Sequence, residues 1–192
     1  VRTYTWSDLQ PGSYLYQSGT HPQVQVQMTA FIRAGLVLAE LQSKRIGLIG
    51  FRAPGFYPCV FDELLIRRNF GVGIDHIPLS EVVLELQKGN QKPAPVKHFP
   101  RIEGGELPAA SVESIEKYYT ALGAVLERSG HGLFAIKDWP EIMGLDDPGG
   151  IWPGLGWLID EGYALAPEGD VNAALTILGT LQSVGTVSSP IY

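Results

Sequence analysis

Apolar positions along this chain fall into runs of two kinds, and their alternation outlines a fold. From Gln23 to Ser43, the residues Val24, Met28, Phe31, Ile32, Leu36, Leu38, Ala39 and Leu41 recur at helical spacing, which predicts a long amphipathic helix burying at least one stripe. Ile46-Gly47-Leu48-Ile49-Gly50-Phe51 is a short continuous apolar run, as expected of a parallel strand covered on both faces. It breaks at Arg52-Ala53-Pro54-Gly55-Phe56. Asp62 to Phe70 then reads as helix and Val72 to Ile77 as strand, a βαβ unit expected to cross over right-handed. Another helix follows through Val82, Val83 and Leu86, with Ser80 expected as its N-cap.

Residues 89–110 hold Gly89, Pro93, Pro95, Pro100, Gly104, Gly105 and Pro108, too many breakers for a regular element, and predict a long loop over a site or against a neighbouring subunit. Helical spacing returns from Ser111, expected as N-cap, to Arg128, with Glu113 and Glu116 near the positive end. Leu133 to Lys137 predicts a third strand, the span from Pro153 to Asp160 a short helix, Tyr163 to Ala166 a fourth strand, and Val171 to Leu181 the last helix. Strands alternating with helices predict an α/β fold of Rossmann or flavodoxin type. Its sheet is doubly wound and mostly parallel, with helices on both faces and a functional crevice at the C-terminal strand ends. Residues 1–22, rich in Tyr, Ser, Gly and Pro, read as an extended arm or linker, and 23–192 as the α/β domain.

Composition narrows the partners. At 192 residues and 45% hydrophobic content, the chain is long enough to bury a sizeable core. Twenty acids against 14 bases, with no basic run, argue against nucleic acid or an anionic membrane surface. A small polar or cation-assisted substrate fits that balance better. No apolar run reaches membrane-spanning length. A single cysteine, Cys59, allows no internal disulfide, so a reducing cytoplasm is the expected compartment. The start at Val1 rather than Met reads as processing or as a segment of a longer protein.

The predicted crevice gathers three charged loops. In 52–58, Pro54 stiffens the chain and Gly55 allows a tight turn, so Arg52 is held at the strand tip. There it can grip a carboxylate, a phosphate or a polyol hydroxyl, or else pair with Asp62 or Glu63 and lock the loop. In 137–141, Lys137, Asp138 and Glu141 flank Trp139, which offers either a platform for a sugar ring or an ordinary packing residue. In 167–170, Glu168 and Asp170 precede a helix, where they can bind a divalent cation, move a proton, or simply cap the helix N-terminus. His21, His76, His98 and His131 show no metal-ligand spacing, and neither a G-x-G-x-x-G nor a P-loop pattern is present, which argues against a nucleotide cofactor.

Together the three loops carry a resemblance. Ile46 to Tyr57 with Phe61-Asp62-Glu63-Leu64, then Lys137-Asp138-Trp139-Pro140-Glu141, then Glu168-Gly169-Asp170-Val171-Asn172-Ala173-Ala174-Leu175-Thr176 resemble, in order, the second domain of L-fucose isomerase-like sugar isomerases. The resemblance spans residue 24 to the end, and its third motif is the most specific. It implies interconversion of an aldose and a ketose, such as a pentose or a 6-deoxyhexose (fucose or arabinose), through an enediol at a divalent metal, usually Mn2+. Glu168 aligns with the acid that ligates the metal and carries the proton. Asp170 aligns with the second acid of that metal-site motif, in a supporting role. Arg52, Trp139 and Glu141 are the candidate substrate-binding residues.

The resemblance further implies a second ligating Asp about two dozen residues beyond the first acid, and a ligating His in a later β-rich domain. On that basis the 192 residues form the central domain of a longer isomerase, inactive alone and homo-oligomeric when whole. The alternative is a non-catalytic sugar-binding or assembly α/β domain.

Overall fold

The computed structural model describes residues 22–89, 108–143 and 150–184. The expected arm at 1–22, apart from Pro22, most of the expected loop at 89–110 and the last residues of the chain lie outside them. In chain order the elements are α1 (Pro22–Gln42), β1 (Arg45–Ile49), α2 (Glu63–Phe70), β2 (Gly73–Ile77), α3 (Leu79–Lys88), α4 (Ala109–Ser129), β3 (Leu133–Ile136), α5 (Ile151–Asp160), β4 (Ala164–Ala166) and α6 (Val171–Val184).

The four strands form one all-parallel sheet in the order β2-β1-β3-β4. Successive side chains of a strand point to opposite faces, so two-sided burial demands the continuous apolar runs seen in the sequence. On one face Ile49, Phe134, Ile136 and Leu165 pack against α3, α4 and α5 through Val82, Tyr118, Leu122 and Leu158. On the other, Ile46, Leu48, Leu133 and Ala166 pack against α1, α2 and α6 through Leu41, Ile66, Ala174 and Leu178. The doubly wound α/β reading therefore holds, with a separate core on each face. Among the described residues no helix is long and apolar enough to cross a membrane.

Two capping expectations are corrected. Helix α3 begins at Leu79 after Pro78, and α4 at Ala109 after Pro108, so Ser80 and Ser111 lie inside the first turns. A serine cap contributes about 1 kcal/mol. Extending the helix by two or three residues adds backbone hydrogen bonds, and a preceding proline already holds the extended conformation of a cap residue. The expected stripe on α1 is only partly covered. Leu41 is buried, whereas Phe31, Leu36 and Leu38 are exposed among the described residues.

A buried hydrogen bond ties helix α4 to the loop that follows β3. The Tyr118 hydroxyl donates to the Ile142 carbonyl at 2.9 Å inside the first core. Tyr118→Phe should lower unfolding stability by about 1–2 kcal/mol in urea titrations, because the carbonyl would lose this buried donor. An unchanged midpoint would mean that water or a shifted donor replaces the hydroxyl.

Candidate active site

Strand order reverses between β1 and β3, because β2 lies on one side of β1 while β3 and β4 lie on the other. Crossovers leave in opposite directions there, which opens a crevice at the C-terminal strand ends. The loops after β1, β3 and β4 meet at this end of the sheet, as the sequence led us to expect. Their meeting is held by backbone groups: Ala53 N–H donates to the Glu168 carbonyl at 3.2 Å, and Glu168 N–H donates to Asp138 Oδ1 at 2.8 Å.

The turn after β4 is a single 3-10 turn, Pro167–Gly169, in which Glu168 is left-handed at φ 61° and ψ 7°. For a residue with a Cβ that conformation costs on the order of 1 kcal/mol or more, and it persists where surrounding contacts over-determine it. Clamping of both the N–H and the carbonyl of Glu168 is such a set of contacts. Gly169 follows at φ 69°, where a Cβ would stand 2.3 Å from the Phe51 carbonyl oxygen, so only glycine lets this turn approach the β1 loop.

Glu168 and Asp170 then part company. Asp170 Oδ1 accepts the Ala173 N–H at 2.9 Å and so caps α6, the modest role that helix position predicts. Glu168 caps nothing. Its Oε2 is buried without a hydrogen-bond partner, and burial first, then the negative charge of Asp138, pushes its carboxyl above the ordinary range. Asp138 is itself fully buried, and its Oδ2 accepts the Trp152 indole N–H at 2.8 Å.

Arg52 makes no ion pair among the described residues, since Asp62 accepts from the Leu65 N–H and Glu63 faces His76. Its guanidinium carbon lies 5.3 Å from the centroid of the Tyr57 ring, and Nη1 is buried with no hydrogen-bond partner. The loop-locking reading of Arg52 therefore has no partner in Asp62 or Glu63. Cys59, a buried free thiol, belongs to the same neighbourhood. Burial first, then the charge and hydrogen bond of Asp170 and the charge of Glu168, raise its pKa, opposed by Arg52. Cys59 is thus kept as a protonated thiol rather than a nucleophilic thiolate.

Trp139 is half-buried, its ring centroid 6.2 Å from that of Phe56, so one aromatic wall joins the β1 and β3 loops. Glu141 is exposed and pairs with Lys137 Nζ at 2.5 Å, which holds its carboxyl below the usual range. Sequence reasoning placed Asp138 at the crevice without giving it a role, and overlooked Trp152 and Cys59 as parts of this cluster. The available signal was weak: Asp138 directly follows an apolar strand and can turn inward, but nothing local reveals a partner 30 residues away.

Chemically, the cluster presents a dehydrated carboxylate oxygen that needs a proton or cation, and a guanidinium N–H that needs an oxygen. Among the described residues no group of three or more His, Cys, Asp or Glu is placed to hold a metal ion. Glu168 Oε2 fits the part of one ligand.

No family model matches the chain. It is similar to sulfoquinovose isomerase of Alkalicoccus urumqiensis, with 22% identity over 178 residues. The match covers 89% of this chain and 39% of that protein, so the chain spans about two fifths of the length of its relative. By its name that relative is an isomerase of a sugar, and at that level it agrees with the resemblance carried by the three loops.

Proposed function

We propose that this chain is the central α/β unit of a metal-dependent aldose-ketose isomerase acting on a pentose or a 6-deoxyhexose, and that Glu168 is its acid-base group. The observation that carries the reading is the buried, unpartnered Oε2 of Glu168 at the point where strand order reverses. Structural carboxylates are paired, and an orphaned one with raised proton affinity fits a group kept for a ligand or a transferred proton.

Glu168 would hold a divalent cation such as Mn2+, with Asp170 in support through its cap on α6, and further ligands would come from outside the described residues. Bound there, the ion would polarise the carbonyl and hydroxyl oxygens of the open-chain sugar. Glu168 removes the proton from C2 of the aldose and returns it to C1 of the enediol. Arg52 Nη1 donates to a sugar oxygen. In sulfoquinovose, a 6-deoxyhexose with a sulfonate on C6, that oxygen could belong to the anionic group. Trp139 and Phe56 face the apolar side of the sugar, and Glu141 with Lys137 lies within reach of its hydroxyls. Full activity belongs to the whole, homo-oligomeric protein.

The test is isomerisation in D2O. With Mn2+ and a panel of pentoses, 6-deoxyhexoses and sulfoquinovose, the ketose should form with solvent deuterium at C1. Chelation should stop the reaction and added Mn2+ restore it. Sugar binding with no interconversion at any metal concentration would replace this reading with that of a binding domain.

A further inference from the structure

The buried carboxylate of Asp138 has no role in the proton transfer, yet it is bonded to the residue that does. A fully buried acid is rare unless paired, and here no cation pairs with it among the described residues. What it has instead is two N–H donors, one per oxygen: the backbone of Glu168 on Oδ1 and the indole of Trp152 on Oδ2, both at 2.8 Å. The first bond reaches the one non-glycine residue with a left-handed backbone among those described. The second comes from the start of α5, whose aromatic ring stays half exposed while its N–H reaches inward.

We propose that Asp138 is the positioning residue of this site. Aligned by Trp152, it accepts the Glu168 N–H, fixes that residue's left-handed backbone, and so sets the direction in which the Glu168 side chain enters the crevice. Three parts of the chain converge on that one residue: the loop after β1 through Ala53, the loop after β3 through Asp138, and α5 through Trp152 acting on Asp138. A side chain cannot keep its aim if the φ of its own residue is free to return to the right-handed region. The consequence for metal or substrate rests on the isomerase reading, whereas the positioning of the Glu168 backbone does not.

The chemistry of the double acceptor supplies a specific test. A carboxylate serves both donors, but an amide offers one oxygen and turns N–H groups toward the other partner. In Asp138→Asn the Glu168 and Trp152 N–H groups therefore compete for one oxygen. Removing the Trp152 donor as well frees that oxygen for Glu168. Hydrogen-deuterium exchange resolved to the Glu168 amide by NMR reads this bond, and Mn2+ titration of the full-length protein reads the aim of its carboxylate.

Asp138→Asn should speed exchange at Glu168 at least about tenfold and weaken Mn2+ binding about 10–100-fold, the usual range for a group that orients a ligand. Trp152→Phe alone should leave the exchange within about threefold of wild type, and the Asp138→Asn/Trp152→Phe double variant should recover both properties to within about fivefold. Wild-type exchange in Asp138→Asn would overturn the proposal. So would a double variant as fast as the single one, which would mean that charge or general packing, not the acceptor, is what matters. If exchange follows the expected order but the full-length wild-type protein binds no Mn2+, the positioning role stands and the isomerase reading fails.

Discussion

Glu168→Gln should abolish Mn2+ binding at this site and lower kcat about 10²–10⁴-fold, while leaving the fold intact and raising stability at neutral pH by on the order of 1 kcal/mol. The two effects have opposite signs because function and stability place opposite demands on the same atom. One carboxylate oxygen, Oε2, is buried and unpartnered, so the charge costs desolvation energy in the native state that a neutral amide largely avoids.

The pH dependence follows with a definite sign. The folded pKa of Glu168 lies above its ordinary value of 4.5, chiefly through burial, with the nearby charge of Asp138 adding to it. Below the unfolded value the group is protonated in both states and costs nothing. As pH rises from there through the raised folded value, the native state loses stability. The melting-temperature advantage of Glu168→Gln should accordingly vanish below about pH 4 and grow as pH rises through the raised folded value. Melting curves at a series of pH values and metal titrations check both parts. Retention of Mn2+ affinity and turnover in the variant would remove Glu168 from its assigned role.

The second large effect is structural and falls on the neighbouring residue. Gly169→Ala should destabilise the protein by about 2–5 kcal/mol, combining a left-handed conformation with overpacking against backbone that has no flexible end to move aside. The new methyl would lie 2.3 Å from the Phe51 carbonyl oxygen and 2.9 Å from its carbon. Relief of that clash must separate the β4 turn from the β1 loop, which breaks the Ala53 to Glu168 hydrogen bond. Gly55 is the control: it has a similar left-handed backbone at φ 82°, but nothing lies within 4 Å of its absent Cβ. Gly55→Ala should cost only the conformational part, about 1–2 kcal/mol. Equal losses for the two variants in urea unfolding would show that the close approach at Gly169 carries no energetic weight.

Much of the fold was legible because its signals are local. A strand buried on both faces must be continuously apolar, and Ile46 to Ile49 and Leu133 to Ile136 satisfy that with their own side chains. Helix ends were less legible, since the serines at 80 and 111 competed with the prolines at 78 and 108 for the same boundary. On α1, periodicity named the apolar positions correctly but not their exposure, which depends on what packs beside the helix. The site was legible to the same depth. Loop chemistry marked Arg52, Glu168 and Asp170, yet spacing treated the two acids alike, and Asp138 stood out only as one charge among several.

By itself, then, the sequence determined the kinds and order of the elements, the loops that carry charge, and the acids that flank the last helix, because periodicity, breakers and capping act over a few residues. Only the tertiary structure decided that β1 stands between β2 and β3, so that loops more than a hundred residues apart share one crevice. It also decided that Asp170 finds a backbone donor while Glu168 Oε2 finds none. The physical reason is that desolvation and hydrogen-bond satisfaction belong to the packed surroundings of an atom, and those surroundings come from distant parts of the chain.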